Sequence, residues 1–479
     1  METKNCYLSE MHLFKTDDAH FVFQPLTLRL YEVDKDTYGI LNDYKEKYGL
    51  DKPFICEDED LITAGIIYHA DEPIGDPMQN RFEKAKEEAE SDSSRTEKLT
   101  PVVSTVLQIA NDCNLNCIYC YGDGGSYGRQ RELMTLDTAK KAIDLMVENS
   151  GDAKKLVVIF FGGEPLINFE VVKGALEYCK NLETTTSKKF QYSMTTNGTI
   201  LNDEIFDFIK DNKVSVMISM DGGAEIQNKH RCYCDGRGSF EDIKKNIERF
   251  KEARGGHLTA RATVCSTDIR FKKIKDDLLA LGFTNAVTSM VDTSEDSPLF
   301  VGGEKNTAAI LEQYQILADD FVECVMNGKR GGNNLIANTL DRLYFKKMKI
   351  RSCNAGGGGI AVGTDGNIYP CHRFMGMPEY IIGNLTDGID EEKRGSYQEA
   401  TIYNKEGCRD CWVRYLCSGG CGHTCAVHGG DVFHAPDCYC DIYRGLHEII
   451  LHAYWKLKEW DDDIFRKTLE KSDKQVNTL

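Results

Sequence analysis

The chain has 479 residues, of which 41% are apolar, and a formal net charge of −18. This length is too great for one small domain and predicts two or three domains with a substantial core. A chain with this acidic net charge shows no excess of basic residues for binding nucleic acid, so we expect no nucleic-acid partner. Residues 1–15 contain no apolar run of signal-peptide length, and the apolar run Leu156–Phe161 is far too short to cross a bilayer. We therefore expect a cytoplasmic protein without a membrane partner.

Residues 1–80 form the first compositional unit. Their apolar pattern predicts short strands at Met11–Phe14, His20–Phe23 and Thr27–Val33, followed by a helix over Asp34–Tyr48. Strands followed by a helix indicate a small α+β domain, either a structural cap or a peptide-binding edge. Residues 81–100 are charged and contain serine, which is typical of a solvated helix running into a flexible linker.

Strands alternate with helices in the next unit, residues 101–305. The strands are predicted at Val102–Ala110, Leu156–Phe161, Phe190–Thr195, Val214–Ser219, Thr259–Val264 and Ala286–Met290. The helices are predicted at Leu136–Asn149, Phe169–Leu182, Asp203–Lys210, Phe240–Ala253 and Ile274–Leu281. Repeated βα units indicate an α/β domain with a parallel sheet, which is either open or a partial barrel. In both arrangements the functional residues lie at the carboxyl ends of the strands.

The remainder of the chain divides into three predicted units. Residues 306–350 form a helical bridge, since Thr307–Met348 has a helical pattern. Residues 351–445 form a cysteine-rich unit. Residues 446–479 form a C-terminal helix and tail, with the helical pattern running from Asp441 to Leu469.

The chain contains 19 cysteines, and twelve of them fall into two groups. In a large cytosolic protein, tight cysteine spacing indicates metal or redox chemistry more often than disulfides. The first group is Cys113-x3-Cys117-x2-Cys120, directly after the first predicted strand of the α/β unit. A 4Fe–4S cluster normally takes four cysteines, so three leave one iron open for a substrate or cofactor. The alternative, a structural zinc site, needs a fourth ligand and usually two spaced pairs.

Cys-x3-Cys-x2-Cys, with the aromatic Tyr119 before the last cysteine, resembles the signature of the radical S-adenosylmethionine superfamily. The resemblance implies a partial (β/α)6 TIM-type barrel. It also implies that S-adenosylmethionine chelates the open iron and is cleaved reductively to a 5′-deoxyadenosyl radical. The cofactor carries the difficult chemistry, and the protein holds and orients it.

Further strand-end motifs resemble those of the superfamily. Gly162-Gly163-Glu164-Pro165 follows the second strand, Thr196-Asn197-Gly198 the third and Ser219-Met220-Asp221-Gly222 the fourth. Arg231 and Arg261 are alternative partners for the cofactor carboxylate, because a guanidinium binds a carboxylate bidentately. The resemblance thus implies S-adenosylmethionine contacts at Tyr119, which would lie near the adenine, and at Gly162, Gly163, Glu164, Asn197, Ser219, Arg231 and Arg261.

The second cysteine group resembles the SPASM extension of these enzymes, which holds two auxiliary 4Fe–4S clusters. By that resemblance the first auxiliary cluster is held by Cys353, Cys371 and Cys421, and the second by Cys408, Cys411, Cys417 and Cys440. Cys438 is an alternative to Cys440, and Cys425 is a candidate cap for the first auxiliary cluster. A zinc ribbon is the structural alternative.

Two departures distinguish this chain from sulfatase-maturing enzymes. Residues 354–359 lack the extra cysteine of those enzymes, and His372 replaces the aspartate that follows the position of Cys371. The first auxiliary cluster is therefore open unless Cys425 caps it, and an open iron can bind a substrate thiolate. His372 is a possible base, with a satisfied polar residue as the simpler interpretation. Cys232 and Cys234 are either plain loop thiols or exchange partners for substrate cysteines.

The whole pattern most resembles maturases of ribosomally made peptides that form thioethers, as in sactipeptides and ranthipeptides. The implied partners are a precursor peptide whose leader adds a strand to the N-terminal domain, and an electron donor such as flavodoxin or ferredoxin. The alternatives are a maturase that makes carbon–carbon crosslinks, an enzyme like the anaerobic sulfatase maturases, and a zinc-stabilised binding protein without enzymatic activity.

Overall fold

The computed structural model describes residues 5–71, 75–76, 78–84, 100–329 and 334–476, with the backbone alone at residue 334 and residues 471–476. The N-terminal region contains, in order, β1 (Asn5–Leu8), β2 (His12–Lys15), β3 (His20–Gln24), β4 (Arg29–Val33), α1 (Lys35–Tyr48), β5 (Phe54–Ile55), α2 (Glu59–Thr63) and β6 (Ile67–His69). Helix α1 begins after Asp34 because its carboxylate accepts a hydrogen bond from the backbone N–H of Thr37.

Two small antiparallel sheets make up this region, in the orders β2-β3-β4 and β5-β1-β6. The first sheet and α1 confirm the three strands and the helix predicted there. The second sheet was not predicted. Its strands are two to four residues long, too short to show an alternating pattern, and they depend on pairing with one another across the chain.

The segment between this region and the α/β domain is only partly described. Residues 78–84 form a helix, α3, which agrees with a solvated helix at the start of the predicted linker. Residues 85–99, the rest of that linker, lie outside the described residues.

The α/β domain follows the predicted alternation closely. Its elements are β7 (Ser104–Ala110), β8 (Leu115–Cys117), α4 (Leu136–Glu148), β9 (Lys155–Gly162), α5 (Phe169–Thr185), β10 (Lys189–Thr196), α6 (Asp203–Asp211), β11 (Ser215–Ser219), α7 (Ala224–His230), β12 (Arg231–Tyr233), α8 (Phe240–Ala253), β13 (Thr259–Val264), α9 (Phe271–Ala280) and β14 (Asn285–Met290). All six predicted strands and all five predicted helices of this domain are present, with bounds shifted by at most three residues.

The C-terminal part adds helices and short strands. They are α10 (Glu304–Met326), α11 (Asn334–Tyr344), β15 (Gly359–Val362), β16 (Ile368–Tyr369), β17 (Gly383–Asn384), β18 (Gly388–Ile389), α12 (Glu391–Gln398), α13 (Arg414–Cys417), α14 (Gly422–Gly429) and α15 (Asp437–Val476). The predicted helical bridge is therefore two helices, α10 and α11, both packed against α15. None of the helices in the described ranges is long and apolar enough to span a bilayer.

The large sheet has the strand order β14-β13-β11-β10-β9-β7-β15-β16. The six strands of the βα units are parallel and lie side by side in chain order. In β9 the residues Leu156, Val158 and Phe160 are buried, whereas the alternate residues on the opposite face are half-buried. One face therefore packs against helices, and the other is left to line a site. Closure of the strands into a partial barrel stays a prediction.

Two structural features connect the cysteine-rich region to the rest of the chain. Strand β15 pairs in parallel with β7, so the cysteine-rich region extends the large sheet. The ring of His12 in β2 stacks on Trp412 with the ring centroids 3.8 Å apart. Next to this stack, Arg414 forms an ion pair with Glu10. The N-terminal region therefore rests on the second cysteine group.

Candidate active site

The carboxyl ends of the first three strands of the α/β domain meet in one cluster of hydrogen bonds. The N–H of Gly163 donates to Ala110 O (2.8 Å), and that of Glu164 donates to Asp112 O (2.9 Å). The side-chain nitrogen of Asn197 lies 3.8 Å from the sulfur of Cys113. The motifs after β7, β9 and β10 are thus in direct contact, as strand-end positions predict.

The first cysteine group is held in place by a short antiparallel ladder. Leu115–Cys117, expected as loop, pairs as β8 with β12, and Cys117 lies opposite Arg231. Burial raises the pKa of Cys113 to about 12 and that of Cys117 to about 11. The neighbouring thiol of Cys120 is among the charges that contribute to both of these raised values. Three neighbouring cysteines of this kind are a suitable set of thiolate ligands for an iron–sulfur cluster.

Glu164 is a fully buried carboxylate behind this cysteine group. It accepts hydrogen bonds from Thr196 Oγ1 (2.8 Å), the N–H of Asn197 (2.7 Å) and the N–H of Leu166 (3.0 Å). Burial raises its pKa to about 7, although these hydrogen bonds favour the charged form. A negative group held this way can receive a cationic ligand group, as the resemblance implies for the amino group of S-adenosylmethionine.

Asp221 is a buried carboxylate that lies within the fourth strand-end motif but was not predicted as a site residue. It accepts hydrogen bonds from the hydroxyl of Tyr119, from Arg231 Nε (3.2 Å) and from the N–H of Thr263 (2.9 Å). The guanidinium of Arg231 also reaches the sulfur of Cys117 at 3.8 Å. Asp221 thereby positions the cation beside Cys117 and fixes Tyr119, whose ring lies 5.4 Å from that guanidinium.

The two candidate arginines differ in their partners. Arg231 is already paired with Asp221, whereas the side chain of Arg261 has no hydrogen bond or ion pair among the residues that the structure describes. Arg261 lies opposite Ser219 in the register of β11 and β13. Desolvation, followed by the charges of Arg373 and Arg231, lowers the pKa of Arg261. An anionic ligand would offset the repulsion between Arg261 and the two neighbouring arginines. Arg261 is therefore the arginine whose guanidinium is available to bind a carboxylate bidentately.

The glycines of the second motif allow the backbones of two strand ends to touch. A Cβ built on Gly163 would overlap the carbonyl of Asp112, and one on Gly162 would crowd the backbone of Ala110. We expect Gly163→Ala to separate the Cys113 loop from Glu164 and to lower S-adenosylmethionine affinity at least about tenfold, by equilibrium binding to the reconstituted protein. Gly39→Ala is the control, because a Cβ there meets nothing within 4 Å. Unchanged affinity in Gly163→Ala would contradict this packing.

Cys353, Cys371 and Cys421 converge at the edge of the large sheet. Burial raises the pKa of Cys371 to about 11, and the thiols of Cys421 and Cys353 raise it further. Arg373 Nη1 lies 3.7 Å from the sulfur of Cys421. These three cysteines are therefore neighbours with a cation beside Cys421, and their role as ligands of one cluster stays a prediction. Hydrogen bonds and cations near sulfur raise the potential of a cluster bound there.

Cys408, Cys411, Cys417 and Cys440 line one cavity, together with Cys421. Burial raises the pKa of Cys408 to about 12, with Cys417, Cys440 and Cys411 as charged neighbours that add to it. Cys438 is absent from this lining. Its sulfur lies instead within 4.8 Å of the carboxylate of Glu295. Of the two alternatives, the fold thus brings Cys440 to the other three sulfurs.

Cys425, the candidate cap, lies in a different environment. Its sulfur accepts a hydrogen bond from the buried ammonium of Lys405 (3.2 Å) and its thiol reaches Gly419 O (3.6 Å). Lys405 is also a charged neighbour of Cys408 and Cys417, so this one ammonium lies near both Cys425 and the second auxiliary group. No pattern along the chain indicates Lys405, because its role depends on burial.

His372 and the two loop cysteines complete the predicted residues. Burial, followed by the charges of Arg373 and Arg261, lowers the pKa of His372 to about 3, so its imidazole is neutral. Its ring lies 4.4 Å from that of Phe161. The thiol of Cys232 donates to Asn228 O at 2.8 Å, and Cys234 is exposed. A packed neutral His372 favours the simpler interpretation of that residue.

A parallel sheet of βα units with three neighbouring cysteines after its first strand has the ligand types that an iron–sulfur cofactor needs. Residues 107–274 match the sequence model of the Radical SAM superfamily. The matched residues run from β7 into α9 and include Cys113, Cys117 and Cys120.

Relatives extend the similarity beyond this domain. The chain is 25% identical to the radical SAM cyclopropyl synthase TigE of Paramaledivibacter caminithermalis, over 96% of this chain and 97% of that protein. It is 24% identical to a cysteine-type anaerobic sulfatase-maturating enzyme of Clostridium perfringens, over 73% of this chain and 96% of that protein.

Solved structures share the fold. The structure of anSMEcpe with bound AdoMet has a TM-score of 0.66 at 20% identity and covers 77% of this chain and 98% of its own. Streptococcus suis SuiB bound to precursor peptide SuiA has a TM-score of 0.52 at 14% identity and covers 91% of this chain and 99% of its own. The longer match with SuiB extends the likeness of fold over most of this chain.

Proposed function

We propose that this chain is a radical S-adenosylmethionine maturase that modifies a ribosomally made peptide and joins a cysteine sulfur to a carbon of another residue. The observation that carries the proposal is the grouping of ten cysteines into three sites. Cys113, Cys117 and Cys120 form the first site, and the two auxiliary groups of three and four thiols form the others. A radical S-adenosylmethionine site with two further cysteine sites fits a SPASM-type maturase.

The donor set fits three 4Fe–4S clusters and one S-adenosylmethionine. Thiolates are the ligands such clusters take, and each group has a cation beside a sulfur, namely Arg231, Arg373 and Lys405. When bound, the first cluster and S-adenosylmethionine supply an electron and a 5′-deoxyadenosyl radical that abstracts hydrogen from the peptide. The chain's own residues bind the cofactor and the peptide, orient them and exclude water from the site.

Binding of the cofactor uses the strand ends. Glu164 and the close backbone of Gly162 and Gly163 receive its amino group. Arg261 receives its carboxylate, which the existing pair between Arg231 and Asp221 supports. Asn197, Ser219 and Tyr119 complete the contacts that the resemblance implies.

Thioether formation is supported by the group of three cysteines at the edge of the sheet. Cys353, Cys371 and Cys421 offer three thiolates, and the nearby Cys425 is engaged by Lys405 rather than free. Three protein ligands leave one iron corner for a thiolate of the substrate. The second auxiliary group offers four ligands, so a cluster held there would have no open iron and could accept the surplus electron.

The N-terminal region is proposed to bind the leader of the precursor peptide. In the sheet β2-β3-β4, β2 lies against Trp412, and β4 is the outer strand on the other side. A leader that pairs with β4 gains main-chain hydrogen bonds without disturbing the stack of His12 on Trp412. Bound peptides in SuiB and in anSMEcpe, which share the fold, support a peptide substrate.

A second candidate function is carbon–carbon bond formation. It is favoured by the similarity to the cyclopropyl synthase TigE, which spans 96% of this chain, whereas the sulfatase-maturating relative spans 73%. The sulfatase-maturase alternative is weakened by His372 and by the missing cysteine in residues 354–359.

The deciding experiment incubates the reconstituted enzyme, a strong reductant and S-adenosylmethionine with the precursor peptide encoded beside its gene. A product lighter by two hydrogens, with one cysteine resistant to alkylation, supports the thioether. The same mass loss with all thiols still alkylated indicates a carbon–carbon bond. The matched control is Cys117→Ala, which is expected to leave the peptide unchanged. An unmodified peptide alongside abundant 5′-deoxyadenosine would contradict the choice of substrate.

Iron content tests the choice of Cys440 as a cluster ligand. We expect Cys440→Ala to lose up to about four irons per chain, because a cluster of four irons loses one of its four thiolates. Cys438→Ala is the matched control two residues earlier and is expected to keep all its iron, since Cys438 does not line the cavity that the other cysteines share. Anaerobic iron and sulfide analysis measures both variants. The reverse result would show that Cys438, and not Cys440, is the cluster ligand.

A further inference from the structure

Three side chains with metal-binding atoms converge outside the cysteine sites described so far. They are Glu295 in the loop after β14, His428 in α14 and Cys438 in the first turn of α15. The ligand atoms of all three lie within 4.8 Å of one another. His428 Nδ1 is 3.4 Å from Glu295 Oε1. Carboxylate, imidazole and thiol together are ligands of borderline-soft divalent metals.

A buried carboxylate fixes the orientation of His428. Asp292 Oδ1 lies 2.8 Å from His428 Nε2, and the imidazole side chain is only 1% exposed. The other oxygen of Asp292, Oδ2, accepts hydrogen bonds from Arg373 Nη2 (2.6 Å) and Thr424 Oγ1 (2.8 Å). A carboxylate paired with a guanidinium in this way is an acceptor, so His428 Nε2 is the nitrogen that donates to it. Histidines that bind a metal usually donate the N–H of their other ring nitrogen to a carboxylate. His428 and Asp292 have this arrangement.

This orientation leaves an electrostatic conflict at Nδ1. In the neutral imidazole, Nδ1 is an acceptor, and it faces the carboxylate of Glu295, which is also an acceptor. Two acceptors this close require a cation between them or a second proton on the ring. The sulfur of Cys438 borders the same space and offers a third ligand, which a second ring proton would not explain.

We infer that Glu295, His428 and Cys438 bind one zinc-type divalent ion, distinct from the iron–sulfur clusters. A tetrahedral zinc with bonds of about 2.0–2.3 Å separates its ligand atoms by roughly 3.3–3.8 Å. The 3.4 Å between Nδ1 and Oε1 already meets this spacing. On binding, the thiol of Cys438 releases its proton to solvent, and a water completes the coordination. The side chain of Glu295 is 58% exposed and gives the ion a path from solvent.

The ion braces the loop after β14 against the cysteine-rich region. The hydroxyl of Tyr439 already donates to Val291 O (2.9 Å), and the N–H of Gly303 donates to Cys438 O (2.8 Å). Asp292 in that loop also accepts from Arg373, the residue whose guanidinium reaches Cys421. The site therefore fixes the loop that holds the cation beside one auxiliary group.

The test is elemental analysis of the anaerobically reconstituted holoenzyme after incubation with one equivalent of Zn²⁺ and gel filtration. We expect about one zinc per chain in addition to the cluster iron. Zinc-edge X-ray absorption should show one sulfur at about 2.3 Å and the remaining ligands as nitrogen or oxygen at about 2.0–2.2 Å. Cys438→Ser and the milder Glu295→Gln should each lower zinc affinity at least about tenfold with unchanged iron and sulfide. Cys234→Ser, an exposed thiol, is the matched control and should retain zinc.

Three results would overturn the assignment. Wild-type enzyme that retains no zinc would mean that a doubly protonated His428 bridges Asp292 and Glu295. Zinc surrounded by four sulfurs would place it in a cluster site. Loss of about four irons in Cys438→Ser would make Cys438 a cluster ligand. Formation of 5′-deoxyadenosine is measured separately, so failure of the zinc site and failure of the proposed enzymatic activity remain distinguishable.

Discussion

Replacing Cys117 with alanine will abolish 5′-deoxyadenosine formation and lower the iron content from about twelve to about eight per chain. Cys117 is one of three thiols at the ends of the βα strands, and its sulfur is 3.8 Å from Arg231 Nη1. With two thiolates left, the cluster that binds S-adenosylmethionine loses an anchor, while the auxiliary groups lie on other segments and keep theirs. Anaerobic iron analysis and chromatography of the cleavage products measure both effects.

The control for this variant is Cys234→Ala. Cys234 lies in the same part of the chain as β12, but its side chain is exposed. This variant is expected to retain the wild-type iron content and cleavage rate. Cleavage of S-adenosylmethionine at the wild-type rate by Cys117→Ala would remove the basis for assigning the first cluster.

Replacing Asp221 with alanine is expected to destabilise the protein by about 3–5 kcal/mol, because removal of one partner leaves a buried cation uncompensated. Asp221 is fully buried and accepts hydrogen bonds from Arg231, Tyr119 and the N–H of Thr263. Freed Arg231 also loses its fixed position beside Cys117. We therefore expect S-adenosylmethionine cleavage to fall at least about a hundredfold even at temperatures where the variant is folded.

Asp221→Asn separates charge from hydrogen bonding. Asparagine keeps an acceptor oxygen for the N–H of Thr263 but not the charge that pairs with Arg231, so we expect an intermediate loss of stability. Asp203→Ala is the control, since Asp203 pairs with Arg249 in solvent with its side chain 94% exposed. Thermal unfolding of the anaerobic holoenzyme measures all three. If Asp221→Ala unfolds at the wild-type temperature, the hydrogen bonds and ion pair of Asp221 do not stabilise this site.

Much of the α/β domain could be predicted because its strands are buried on one face and its helices are amphipathic. The bounds of β13 and α8 agree with the prediction residue for residue. The strand Gly359–Val362 follows a glycine-rich turn and was not predicted, because only its pairing with β7 makes it a strand. The β5-β1-β6 sheet was missed for the same physical reason.

The site could be predicted only where spacing along the chain carries the information. The three cysteines of the first group lie within eight residues, so a local pattern shows them. Asp221 and Lys405 act through partners that the fold brings close, such as Thr263 and Cys425. Such partners cannot be read from spacing, and neither could the group of Glu295, His428 and Cys438, which comes from three separate segments.

The pairing of β15 with β7 has a consequence for how the chain can be divided. Residues 359–362 cover the edge of β7, which is the strand that leads directly to Cys113. A protein shortened before this segment would expose the main-chain groups of Ser104–Leu107 along an apolar edge, and such edges recruit other chains into aggregates. The auxiliary part is therefore not an interchangeable accessory, because swapping it between relatives would also exchange the strand that shields the cofactor-binding half.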